Sequence, residues 1–112
     1  MTENFEYEVN QLHAEICAGL ADPKRILILY ALSEKPCNVN ELVNKLGLSQ
    51  PMISRHLKVL KERRMVIAHR IGSNVEYHLA DERLIQALDL LRAVLRDNLS
   101  YRAQLFDVIE EI

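Results

Sequence analysis

Tryptophan is absent, and aromatic residues make up only 5% of the 112 residues. A core must therefore be built from Leu, Ile and Val rather than from large rings. Cysteine occurs twice, at Cys17 and Cys37. That excludes a disulfide framework and, in a reducing compartment, predicts two free thiols. No apolar run approaches the roughly 18 residues of a membrane span. The segment Met1 to Val9 is acidic and polar, unlike a signal or transit peptide. These absences predict a cytoplasmic protein with no membrane partner. There is no internal repeat and no low-complexity tract. There is also no Gly-rich phosphate loop, no metalloprotease helix and no nucleophile motif. Ser49, Ser54 and His56 could suggest a serine/histidine pair, but the serines suit capping and phosphate contact, and His56 lies beside an apolar stripe. The expectation is a chain that is not an enzyme.

A large net charge is lacking too: the sum is −2 at pH 7. Its distribution is uneven. Residues 1–22 carry five acids and no Lys or Arg, whereas residues 45–72 carry seven Lys or Arg and one Glu. The last 32 residues are again acidic. A basic segment between two acidic ends resembles a local nucleic-acid footprint. A solvated charged surface is the bland alternative.

Apolar spacing supplies the elements. Val9, Leu12, Ile16 and Leu20 share one face of a helix predicted over about Tyr7–Ala21. Asp22 as N-cap and Pro23 at the first position open a second helix to about Ser33, whose Ile26, Leu27, Leu29, Tyr30 and Leu32 leave little polar face. Asn38 caps a third helix to Leu46, with Val39, Leu42, Val43 and Leu46 as its stripe and Gly47 as its left-handed terminator. Ser49 caps a fourth helix, with Pro51 in its first turn, to about Arg64; Ile53, Leu57 and Leu60 face inward. The period then becomes two: Met65–Ile71 and Val75–Leu79 read as strands around the turn residues Gly72-Ser73-Asn74. Asp81 caps a last helical region over Glu82 to about Glu111. Its stripe is Leu84, Leu88, Leu91, Leu95 and Leu99, and the spacing does not decide whether it is one helix or two. The fold expected is mainly α with a small β-hairpin, a winged helix-turn-helix, forming a single domain over residues 1–112.

A recognition helix needs an apolar face to fix it and a polar, cationic face for the major groove. Gln50, Ser54, Arg55 and Lys58 point away from the Ile53/Leu57/Leu60 stripe. Gln can pair with adenine and Arg with guanine, while Ser and Lys can hold phosphates. At the hairpin tip, Arg70 can enter a minor groove or contact phosphate, with Ser73 and Asn74 beside it. The expected DNA-binding set is Ser49, Gln50, Ser54, Arg55, Lys58, Arg70, Ser73 and Asn74. Strand alternation puts His69 and Arg70 on opposite faces without saying which is which.

Three stretches resemble the ArsR/SmtB repressors: Leu20 to Leu29 (LADPKRILIL), Leu46 to Leu60 (LGLSQPMISRHLKVL), and the wing with Gly72 and Val75 to Leu79 (VEYHL). The resemblance covers roughly residues 9–97. It implies a homodimeric repressor joined through its first and last helices, bound to an operator of two-fold symmetry and released by an inducer. The interface residues expected are Leu12, Ile16, Leu84, Leu88, Leu91 and Leu95. The alternatives are a winged helix used for protein–protein contact and a regulator without a small-molecule sensor.

The family's standard sensor sites are not carried over. Where one metal site has a Cys-x-Cys pair at the third helix, this chain has Asn38 and Asn40. Where another has Asp, His, His and an acid, it has Asp81, Arg83, Val94 and Asp97, too poor a set for zinc. The second helix lacks the persulfide sensors' cysteine. His13 and Cys17 lie one turn apart and, with Cys37, could form a soft metal or arsenic site, within one chain or across the dimer, with the metal unknown. Cys17 and Cys37 could instead be a redox pair, or Cys17 a small buried hydrophobe and His13 a surface residue. Of the two thiols, Cys37, near a helix N-terminus and Lys35, is expected to be the more reactive, and Cys17 to be buried.

Overall fold

The computed structural model describes residues 1–111, with side chains through Asp107. Among these the chain forms five helices and one two-stranded sheet. The first helix, α1, is α-helical over Glu3–Gln11, π-helical over Leu12–Cys17 and α-helical again over Ala18–Leu20. It is followed by α2 (Pro23–Glu34), α3 (Val39–Leu46), α4 (Gln50–Glu62), β1 (Val66–Ile71), β2 (Asn74–Leu79) and α5 (Arg83–Glu111). That is the winged helix-turn-helix order expected from the spacing.

Each boundary has a local cause. α1 begins earlier than the apolar period suggested because Thr2 caps it, its hydroxyl accepting the Phe5 N–H at 3.2 Å. Glu3 and Glu6 in the first turn favour the same end. Asp22 accepts the Lys24 N–H at 2.8 Å at the head of α2. This bond is the main reason the Asp22 carboxyl titrates below its ordinary value. A depressed carboxylate pKa means stability that is present above the unfolded value and lost as pH falls through the folded one. Asn38 and Glu41 form a reciprocal capping box on α3, at 2.8 and 3.1 Å. Gly47, at φ +66°, ends α3, and the Ser49 hydroxyl accepts the Met52 N–H at 3.3 Å to start α4.

The hairpin is tighter than expected. Ile71 pairs with Asn74, so only Gly72 and Ser73 form the turn and Asn74 belongs to β2. Gly72 holds φ +63° at the first turn position, a conformation that favours glycine. A further backbone pairing links Cys37 and Tyr77, with the Cys37 N–H donating to the Tyr77 oxygen at 3.1 Å and the Tyr77 N–H returning at 2.8 Å. The wing is thereby tied to the entrance of α3.

The chain divides into two compact units, Met1–Glu82 and Arg83–Ile112. The core of the first is Ile28, Leu29, Ala31 and Leu32 from α2, Leu42 from α3, Ile53, Leu57 and Leu60 from α4, and Cys37, Met65 and Val66. Burying one such leucine contributes roughly 1.5–3 kcal/mol. Leu27, expected in the apolar face of α2, is exposed. The second unit holds α5, a single helix through Glu111. Leu88 is buried, whereas Leu90, Leu91, Val94, Leu95 and Leu99 are exposed.

α4 stops at Glu62, two residues short of the expected end. The Met65 N–H donates to the Leu60 oxygen at 2.9 Å and the Arg64 N–H to the Lys61 oxygen at 3.0 Å. These are the two bonds of a Schellman terminator. Met65 and Leu60, at the two positions whose apolar contact often accompanies this motif, are both fully buried. Arg64 occupies the left-handed position, φ 59°, where glycine is usual. Such a conformation costs an L-residue about 1–2 kcal/mol. Arg64→Gly is therefore expected to raise unfolding stability by about 0.5–1 kcal/mol after glycine's greater unfolded-state entropy is subtracted. Arg64→Ala should give no such gain. Urea unfolding of the three proteins checks this.

Candidate nucleic-acid interface

The burial of Ile53, Leu57 and Leu60 sets the rotation of α4. Gln50, Ser54, Arg55 and Lys58 are then exposed together. Ser49 is exposed as well and uses its hydroxyl oxygen as the cap. Its own O–H remains able to donate. On the hairpin, Arg70 pairs with Val75 and lies on the strand face shared with Val66 and Ala68. His69 is on the other face, with Ile67 and Ile71. Arg70, Ser73 and Asn74 are all exposed near the tip.

The seven cations of the basic segment divide by their partners. Lys45 pairs with Glu34 across to α2. Arg63 turns back to α1 and donates to the backbone oxygens of Ala14 and Glu15. Among the described residues, Arg55, Lys58, Lys61, Arg64 and Arg70 have no ion pair, and all five are exposed. An exposed cation with no carboxylate beside it keeps its charge available for a phosphate.

Two clusters escaped sequence reasoning. The first joins Asp22 and Arg25 at the start of α2 to His56 on α4, with Arg25 Nη1 3.5 Å from His56 Nδ1. The second lies on the outer face of the wing. There the His69 and His78 rings meet edge-on at 4.7 Å, and His78 Nε2 is 2.8 Å from a Glu76 oxygen. Strand register was its available signal: positions 69 and 76 are opposite partners and 78 is diagonal.

The thiols reverse the expected burial. Cys17 is exposed, and Cys37 is 1% exposed. α1 is little covered along the face that carries Cys17, so none of the described residues buries it. Cys37 precedes the N-cap, and its backbone pairing with Tyr77 turns the side chain inward. Its thiol donates to the Lys35 oxygen at 3.4 Å. The Asn38 and Glu41 amides at this helix start are engaged by each other's side chains. Burial, helped by Glu41, instead pushes the Cys37 thiol up, against the opposing pull of Lys45 and Lys35. His13 is exposed. Among the described residues, no three His, Cys, Asp or Glu side chains are grouped to hold a metal ion, so within one chain His13, Cys17 and Cys37 are not brought together.

Residues 22–68 match the model of the bacterial regulatory protein arsR family. The chain is similar to the HTH-type transcriptional repressor SmtB of Mycobacterium tuberculosis, 42% identical over 77 residues, 69% of this chain and 57% of that protein. It therefore spans little more than half of that relative. The HTH-type transcriptional regulator CmtR of Mycobacterium bovis is 40% identical over 83 residues, covering 73% of this chain and 70% of CmtR. In structure the chain resembles a homodimeric winged helix-turn-helix DNA-binding domain from Mycobacterium bovis, with a TM-score of 0.75 at 24% identity. That match covers 90% of this chain and 93% of the other.

A thiol reagent applied to the native protein is expected to label Cys17 on the order of tenfold faster or more than Cys37, which must await local opening. Mass mapping at successive times checks the order, and prior labelling of Cys37 would contradict it.

Proposed function

Because the chain belongs to the ArsR family of bacterial regulatory proteins, we propose that it is a sequence-specific, homodimeric transcriptional repressor of the cytoplasm, with α4 reading the major groove. The observation that carries this reading is the exposed set Gln50, Ser54, Arg55 and Lys58 opposite the buried Ile53, Leu57 and Leu60. Arg55 and Gln50 have the donor patterns that distinguish base edges, and Lys58 supplies a point charge for phosphate. Arg70, Ser73 and Asn74 at the wing tip extend the contact to the backbone or to an adjacent minor groove. The unpaired cations favour this over a winged helix that serves only protein–protein contact.

Pairing of two copies is supported by apolar surface. Phe5, Val9 and Leu12 are exposed on α1, and Leu90, Leu91, Val94, Leu95 and Leu99 on α5. Contiguous apolar patches of this kind are uncommon on monomers. Leu12 with the half-buried Ile16, and Leu91 and Leu95 with the half-buried Leu84, form the interface in this reading. The buried Leu88 takes a smaller part. Two joined copies fit an operator of two-fold symmetry. An inducer that releases the DNA, whether a thiol-reactive species or a metal or metalloid, has Cys17 and His13 within reach and Cys37 screened by its burial.

Arg55→Ala should cost about 1–3 kcal/mol in duplex affinity and relax base preference, while Lys58→Ala should weaken all duplexes alike and flatten the salt slope by about one. Anisotropy titrations across a salt series check both; two unaffected variants would remove α4 as the reader. Leu91→Glu should give monomers with poor duplex binding. A wild-type chain that sediments as a monomer at micromolar concentration would contradict the dimer.

A further inference from the structure

Arg25 stands where three helices meet. Its Nε donates to the Gly19 oxygen at 2.7 Å and its Nη2 to the Ala18 oxygen at 3.1 Å. Both carbonyls lie in the last turn of α1, where carbonyls lack their regular helical partners; the Ala18 oxygen also accepts the Ala21 N–H at 3.3 Å. Its remaining corner, Nη1, faces His56 Nδ1 at 3.5 Å on α4 and an Asp22 oxygen at 4.0 Å. The Arg25 side chain is only 15% exposed. A guanidinium has donors and no acceptor. His56 can therefore join this contact only with Nδ1 unprotonated. A second proton would set N–H against N–H and charge against charge.

The surroundings reinforce that choice. Among the described residues, Lys24 and Arg25 from α2 and Arg55 from α4 oppose a charge on His56, and Asp22 favours it. α1 presents the Ala18 and Gly19 carbonyls, which the guanidinium already occupies. Burial first, and these cations next, hold the imidazole pKa below its ordinary value in spite of Asp22. The folded chain thus binds fewer protons here than the unfolded one. Stability is present above the unfolded value of about 6.5 and is lost as pH falls below it.

We propose that Arg25 and His56 are positioning residues for DNA recognition: the neutral imidazole accepts Arg25 and holds α4 against the end of α1, and one proton on His56 releases it. This rests on the DNA-binding reading above. It predicts an unusual sign. Acid ordinarily adds positive charge and tightens phosphate contacts, whereas the His56 step loosens the reader.

The test uses the full chain and a duplex that it enriches from a random-sequence library. Affinity is measured by anisotropy at pH 7.5 and 5.5 at constant ionic strength for wild type, His56→Asn and Arg25→Gln. Asn keeps an acceptor near the Nδ1 position and cannot be protonated. The Arg25 variant removes the charge that the proton would meet. Circular dichroism at each pH confirms that all three are folded. On going to pH 5.5, wild type should lose on the order of tenfold in affinity relative to either variant. The Arg25 Nε–H resonance should shift with pH in wild type and hold still in His56→Asn. Equal affinity ratios in wild type and His56→Asn, or an Arg25 resonance that titrates alike in both, would overturn the proposal. If wild type enriches no duplex at pH 7.5, the DNA-binding reading fails by itself. The Arg25 resonance then decides the contact independently.

Discussion

A thirteen-residue helix can bury only one stripe. In α4 that stripe is Ile53, Leu57 and Leu60, each at most 1% exposed. Pulling any of them out of the core would cost more than any single surface contact could return, so the rotation of α4 is fixed by packing. Everything polar on the helix is placed by that constraint. Gln50, Ser54, Arg55 and Lys58 face outward because there is nowhere else for them to go. The terminator continues the same logic: Leu60 and Met65 are buried at the C-terminal end, and Arg64 adopts a left-handed conformation so that the chain can turn directly into β1.

Two arginines extend the constraint beyond the core. Arg25 caps the end of α1 and faces His56 near the middle of α4. Arg63, just past the end of α4, donates to the carbonyls of Ala14 and Glu15. The latter two residues lie in the π-helical stretch of α1, a form often found at functional positions. Gly19 permits the close approach, since a Cβ there would lie 2.6 Å from Met65 Sδ. The helix that carries the exposed apolar residues Phe5, Val9 and Leu12 is thus fastened directly to the helix that carries the exposed cations.

The element order, the stripes of α3 and α4 and the exposure of the polar α4 face were legible in the sequence because each depends on local period, caps and turn residues. Gly47, Ser49 and Gly72 mark boundaries that the structure keeps. Features decided by tertiary contact were not legible. The period of Val9, Leu12 and Ile16 starts late, so the Thr2 cap and the first turn of α1 were missed. No propensity rule announces the π-helical turn or a left-handed arginine. Helix position is a poor guide to the burial of the two thiols, which tertiary contact decides. Cys37 is buried by a backbone pairing with Tyr77, forty residues away, and such a pairing leaves no trace at position 37 itself. The Arg25–His56 contact joins residues 31 apart, and its geometry needs the fold.

The most direct measurement of α4 as a DNA reader is the map of backbone amide shifts on titrating the labelled protein with an enriched duplex. The largest changes are expected within residues 49–58 and 70–74, at one saturating stoichiometry of duplex per two chains. Changes confined to α5, or spread evenly without a maximum on α4, would contradict the assignment.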